Sequence, residues 1–134
     1  MRLRARVISG FGVGAKFVKI PVYYDIFLFY LGKEPYPGTL NVEVVEGPKS
    51  YVELAELCRP IEVPEQRWGD RVLGALYMWF AMVEHPFKCK AVIIRPMRSR
   101  HPPNVLEIVA PRYIRGEFGV RDGDEVVIRL FCGK

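Results

Sequence analysis

Segments in which polar and apolar residues alternate recur along the whole chain, and glycine or proline cuts each of them short. Leu3, Ala5 and Val7 interleave with Arg2, Arg4 and Arg6, and Leu40 and Val42 interleave with Asn41 and Glu43. A period of two puts successive side chains on opposite faces of a strand, so one face can line a core while the other meets water. Further strands are expected in the β-branched run 91–94 after the turn-like "EHPFKCK", in "VLEIVAP" ended by Pro111, and in "RDGDEVVIRL", where an Asp-Gly turn leads into a last alternating segment. Residues 72–83 satisfy both the strand and the helix period, and within 46–70 "SYVEL" and "RPIEV" read as short strands. Two short helices are expected. Tyr23, Ile26, Phe27, Tyr30 and Leu31 share one helical stripe that Gly32 is placed to stop, and 112–118 can make about two turns closed by Gly119. Residues 16–22 are expected to be strand, with Pro21 barring a long helix that starts at the preceding glycines. Six or more strands with two short helices predict a mainly β protein, a small barrel in a single domain over 1–134.

The longest apolar run, 73–83, is far below the roughly 20 residues of a membrane span, and "MRLRARV" lacks the apolar centre of a signal peptide. A soluble, cytoplasmic chain is expected. Cys58, Cys89 and Cys132 are odd in number, widely separated and in no C-x-x-C pair, so they are read as buried or incidental thiols, without a disulfide framework or zinc site. The net charge of +5 suits a polyanion. Its basic residues are scattered, however, which fits a small phosphorylated ligand as well as nucleic acid.

Four groups of residues carry candidate chemistry. Gly10, Gly12 and Gly14 form G-x-G-x-G, a backbone that can approach phosphate oxygens; it describes a flexible hairpin equally well, and it is neither a dinucleotide fingerprint nor a P-loop. "PYPGTLN" pre-sets a corner through Pro35, Pro37 and Gly38 and delivers Thr39 and Asn41 to one side of a strand. There they can bind Mg²⁺ with substrate phosphates, or simply satisfy turn amides. In "RPMRSRHPPNVLEIVAP", Arg95, Arg98, Ser99, Arg100 and His101 crowd a loop that runs into a strand carrying Glu107. That carboxylate among apolar neighbours lies on a wet face or accepts a hydrogen bond or proton from a ligand. Arg112 and Arg115 flank the turn after Pro111, spaced as on one helical face, where a helix start would offer N–H groups to an anion.

In this order the segments "SGFGVGAKFV", "LGKEPYPGTLNV", "AVIIRPMRSRH", "VLEIVAPRYIR" and "VRDGDEVVI" resemble the archaeal CTP-dependent riboflavin kinase family over nearly the whole chain. The resemblance implies a six-stranded cradle-loop β-barrel that transfers the γ-phosphoryl of CTP to the 5′-hydroxyl of riboflavin, giving FMN and CDP. It implies that Gly10, Phe11, Gly12, Val13, Gly14 and Ala15 cradle the nucleotide phosphates, with Arg112, Tyr113, Ile114 and Arg115 as a second nucleotide-binding stretch. Thr39 and Asn41 are implied as Mg²⁺ ligands and Ser99 and Glu107 as flavin contacts; on its residue chemistry, Glu107 is expected to orient or deprotonate the flavin hydroxyl. Val13 stands where the family usually has an acidic residue, Lys33 where "LGF" is common, and Ser99 where threonine is usual. No N-terminal helix-turn-helix module, nucleic acid or membrane partner is expected, and a monomer is. The rival readings are a nucleic-acid-binding barrel, with Phe17, Tyr36, Trp68 and Trp79 on one open face, and a non-catalytic flavin or nucleotide sensor.

Overall fold

The computed structural model describes residues 1–10 and 18–132. Among these, nine strands and three helices follow in the order β1 (Arg2–Ile8), α1 (Pro21–Leu31), β2 (Leu40–Glu46), α2 (Tyr51–Leu57), β3 (Ile61–Val63), β4 (Gln66–Trp68), β5 (Arg71–Leu73), β6 (Leu76–His85), β7 (Cys89–Pro96), β8 (Val105–Val109), α3 (Ile114–Phe118) and β9 (Glu125–Leu130). Six strands pair antiparallel in the order β6-β7-β8-β2-β1-β9, and β9 returns to β6 through Ala81↔Leu130 and Val83↔Ile128. Closing the sheet on itself leaves no unpaired edge in the barrel. β3 adds to the other half of β6, and β4 and β5 form a separate two-stranded ribbon.

The alternation of β1 predicts its two faces correctly. Leu3, Ala5 and Val7 are buried in the barrel, while Arg4 meets Glu46 and Glu125 and Arg6 meets Glu43 on the neighbouring strands β2 and β9, and Arg2 reaches past β9 to Glu84 on β6. Its arginines are thus spent on cross-strand pairs, leaving no basic stripe. β6 and β7 are covered on both sides. Trp79, Ala81, Ala91 and Ile93 face the barrel interior, and Met78, Val92 and Ile94 face α1. Burial of both faces removes the polar half of the pattern, which is why 72–83 fits two periods.

α1 buries Tyr23, Phe27 and Leu31, four residues apart on one stripe, and ends where Gly32 takes φ 71° and donates its N–H to Leu28 O. Truncating the fully buried Phe27 to Ala would cost about 3–5 kcal/mol. The helix begins earlier than expected. Over the described part of 16–22 there is no strand, and Pro21 occupies the first helical position, where its missing N–H costs nothing.

Two more expectations are corrected. "SYVEL" is α2, not a strand: Ser50 Oγ accepts from Glu53 N, and Glu53 Oε2 accepts from Lys49 N, a capping box that makes the third helix. Cys58 and Cys132 form a disulfide across 74 residues, binding the end of α2 to the segment after β9, so only Cys89 is a free thiol. Among the described aromatics of the nucleic-acid reading, Trp79 is core, donating its indole N–H to Cys58 O at 2.7 Å, while Trp68 is exposed on the β4–β5 ribbon. They share no open face. No described helix is long and apolar enough to cross a membrane.

Candidate functional site

A cleft of about 850 Å³ opens beside the barrel where β2 and β8 begin and end. Its floor comes from the corner and the facing strand. Tyr36 N–H donates to Ala110 O at 2.8 Å, anchoring the corner to the residue after β8, and Gly38 N–H donates to Tyr36 O at 2.8 Å. Gly38 does not take the positive φ its place suggests; a Cβ there would lie 3.3 Å from the Tyr36 ring, a tight contact that a shift of a few tenths of an ångström would relieve. The chain then enters β2 with Thr39 and Asn41 both lining the cleft, separated by the buried Leu40.

Asn41 pairs with Glu107 across the β2–β8 ladder, and Thr39 Oγ1 donates to Glu107 Oε1 at 2.9 Å. Burial pushes the Glu107 carboxyl above its ordinary range, and the Thr39 hydroxyl and the nearby Arg95 charge pull it back only in part. Gly10 closes the group from the β1 side, where Ile8 pairs with Asn41. A Cβ on Gly10 would sit 2.0 Å from Nδ2 and 2.8 Å from Cγ of Asn41, so any larger residue there would have to displace the Asn41 side-chain amide.

The donor set fits a hard cation. Because Thr39 spends its proton on Glu107, its oxygen lone pairs stay available, and Asn41 offers an amide oxygen. Mg²⁺ commonly takes few protein ligands and completes its shell with substrate phosphates and water, which a pair of neutral oxygen donors allows.

The rim is cationic, through Arg98, Arg100, Arg112 and Arg115. Arg115 Nη2 donates to Asp122 Oδ1 at 2.6 Å and to Ile8 O at 3.0 Å, and Ser9 Oγ donates to Asp122 Oδ2. Those two bonds hold the Asp122 carboxyl below its usual range, the one from Ser9 first. Asp122 therefore ties Arg115 to the residue that opens the glycine segment. Arg112 pairs with Glu117, whose other oxygen accepts Tyr113 N–H at 3.0 Å. Arg112 accordingly lies before α3 rather than on a shared helical face with Arg115, and at least one N–H expected to await an anion is already taken. Tyr36 and Tyr113 stack across the mouth with centroids 4.7 Å apart.

The structure thus brings Gly10, Thr39, Asn41, Ser99, Glu107, Arg112, Tyr113, Ile114 and Arg115 to one cleft. Phe11, Gly12, Val13, Gly14 and Ala15 lie outside the described residues. Sequence reasoning missed Asp122 and Ser9. The "RDGD" that signals a turn is the only hint of the former, and nothing local signals that it reaches Arg115.

A family model designated CTP-dep_RFKase, described as a domain of unknown function, DUF120, matches residues 7–130. The chain belongs to the CTP-dependent riboflavin kinase family. Relatives named riboflavin kinase, a transferase, include one from Sulfurisphaera tokodaii, 35% identical over 132 residues that cover 98% of this chain and 96% of the relative. Another, from Sulfolobus acidocaldarius, is 35% identical over 132 residues, 98% of this chain and 82% of that one. A third, from Pyrococcus abyssi, is 36% identical over 124 residues, covering 92% and 56% respectively.

Proposed function

We propose that this protein phosphorylates riboflavin with CTP, forming FMN and CDP. The observation that carries the reading is the floor of the cleft: one carboxylate, Glu107, bonded to Thr39 and paired with Asn41, with Gly10 pressed against Asn41 and arginines around the rim. Phosphoryl transfer asks a protein mainly for positioning and charge neutralisation, and this set supplies both.

Thr39 and Asn41 would hold Mg²⁺, which when bound neutralises charge on the triphosphate. Glu107 accepts the proton of the riboflavin 5′-hydroxyl. That oxygen forms its bond to the γ-phosphorus as the bond from phosphorus to the β–γ bridging oxygen breaks, and CDP departs with the electron pair. The raised affinity of Glu107 for a proton makes it a stronger acceptor than a solvated carboxylate. Ser99 contacts the flavin. Gly10, Phe11, Gly12, Val13, Gly14 and Ala15 cradle the phosphates, with Arg112, Tyr113, Ile114 and Arg115 completing the nucleotide side.

The deciding experiment incubates the protein with riboflavin, Mg²⁺ and each nucleoside triphosphate in turn and follows FMN by chromatography. FMN formed fastest with CTP is expected. Flavin binding without product would support a sensor instead, and salt-sensitive retention of oligonucleotides alone would support a nucleic-acid-binding barrel.

A further inference from the structure

The segment between β7 and β8, residues 97–104, forms a wall of the cleft and carries Ser99. Its sequence "MRSRHPPN" makes few turn bonds of its own, because Pro102 and Pro103 have no N–H to donate: Ser99 N–H reaches Pro96 O at 3.1 Å and Val105 N–H reaches Pro102 O at 3.0 Å. Yet every carbonyl from His101 to Val105 is engaged. Arg95 Nη1 donates to Pro102 O and Val105 O at 2.8 Å each, and its Nη2 donates to His101 O at 2.9 Å. Tyr51 N–H reaches Pro103 O at 2.8 Å and Val44 N–H reaches Asn104 O at 2.9 Å. The guanidinium also lies 4.6 Å over the Tyr51 ring.

Arg95 is only 5% exposed, and its Nε is a buried side-chain nitrogen without a partner among the described residues. A buried cation bonded to carbonyls rather than to a carboxylate is poor value as a stabiliser compared with an apolar side chain. Its distinctive property is shape. A planar fork can satisfy three carbonyls at once, and a lysine ammonium on a flexible stem cannot reproduce that arrangement. On the cleft side of the same loop, Ser99 Oγ accepts His101 N–H at 3.1 Å, so the carbonyl gripped by Arg95 and the hydroxyl offered to the cleft belong to one short, bonded unit.

We propose that Arg95 is a positioning residue for the acceptor side of the site: its guanidinium holds the 97–104 loop in the form that presents Ser99 to riboflavin. The inference rests on the riboflavin kinase reading. Arg95 is buried behind the loop and acts on riboflavin through it; because its charge also lies near Glu107, the role is read in riboflavin binding rather than in kcat, with the CTP KM as the control.

The test measures riboflavin Kd by flavin fluorescence, the KM values for riboflavin and CTP, and the unfolding midpoint, for the wild type, Arg95→Lys and Arg95→Gln. Arg95→Lys is expected to raise riboflavin Kd and KM about tenfold, the scale of a small misplacement at a site, with the CTP KM within about twofold. Adding Ser99→Ala to Arg95→Lys is expected to cost little more flavin affinity than the larger single effect, because both remove one contact. Should the lysine variant fail to fold, Arg95→Gln is compared on riboflavin Kd alone, because it also removes the charge near Glu107. A riboflavin Kd unchanged in the folded variant overturns the proposal, as does a parallel rise of both KM values that follows the loss of thermal stability. A wild type that binds riboflavin but forms no FMN, with binding weakened in Arg95→Lys, upholds the positioning role and overturns the kinase reading alone.

Discussion

The floor and the rim of the cleft are built differently. Thr39, Asn41 and Glu107 stand on or beside the paired strands β2 and β8, their backbones held by the barrel ladder and their neighbours Leu40, Leu106 and Ile108 buried in its core. Arg112 and Arg98 reach the same cleft from loops and Arg115 from the short helix α3, held by ion pairs to Glu117, Glu65 and Asp122 whose side chains are substantially exposed. Exposed pairs are weak and screened by salt, whereas displacing a ladder residue disturbs the packed core. The floor is therefore the place for chemistry that tolerates no displacement, and the rim the place for binding that can be adjusted.

The comparison is sharpest at Glu107. Glu107→Gln keeps the shape and removes the proton acceptor, and kcat is expected to fall about 10²–10³-fold with both KM values nearly unchanged, as read from initial rates of FMN formation. An unchanged kcat would remove the floor's claim to the chemistry. Next comes Gly10→Ala. Its Cβ would collide with the buried Asn41 amide, so activity is expected to fall by roughly 10–100-fold, a larger loss than any accompanying drop in the unfolding midpoint explains.

At the rim, Asp122→Asn releases Arg115 and Ser9 together. The CTP KM is expected to rise only about threefold, less so at high salt, with the riboflavin KM constant. A hundredfold loss there would erase the distinction between the two regions. The smallest effect on catalysis is expected at the Cys58–Cys132 disulfide, which belongs to neither. Reduction should leave kcat and both KM values within about twofold at moderate temperature while lowering stability by about 2–4 kcal/mol, checked by calorimetry with and without reductant.

Where local signals were complete, sequence reasoning placed elements correctly: Gly32 ends α1, and β1 alternates as its arginines require. Its errors were local signals overlooked. Ser50-x-x-Glu53 is a capping signal and Pro21 a helix-start residue, and the strand readings of these segments take neither into account. Other features had no local signal at all. Cys58 and Cys132 stand 74 residues apart, and the bond of Asp122 to Ser9 spans the chain from end to end.

The amino-acid order alone determined the strand character of the barrel, the corner at residues 35–41 and the residue types at the floor, because side-chain periodicity and the restricted φ of proline act over neighbouring positions. Tertiary structure alone decided that Glu107 stands opposite Asn41, that Gly10 presses on its amide, and that Arg95 grips three carbonyls of the loop bearing Ser99. Those contacts depend on strand register and barrel closure, which the whole packed core sets together.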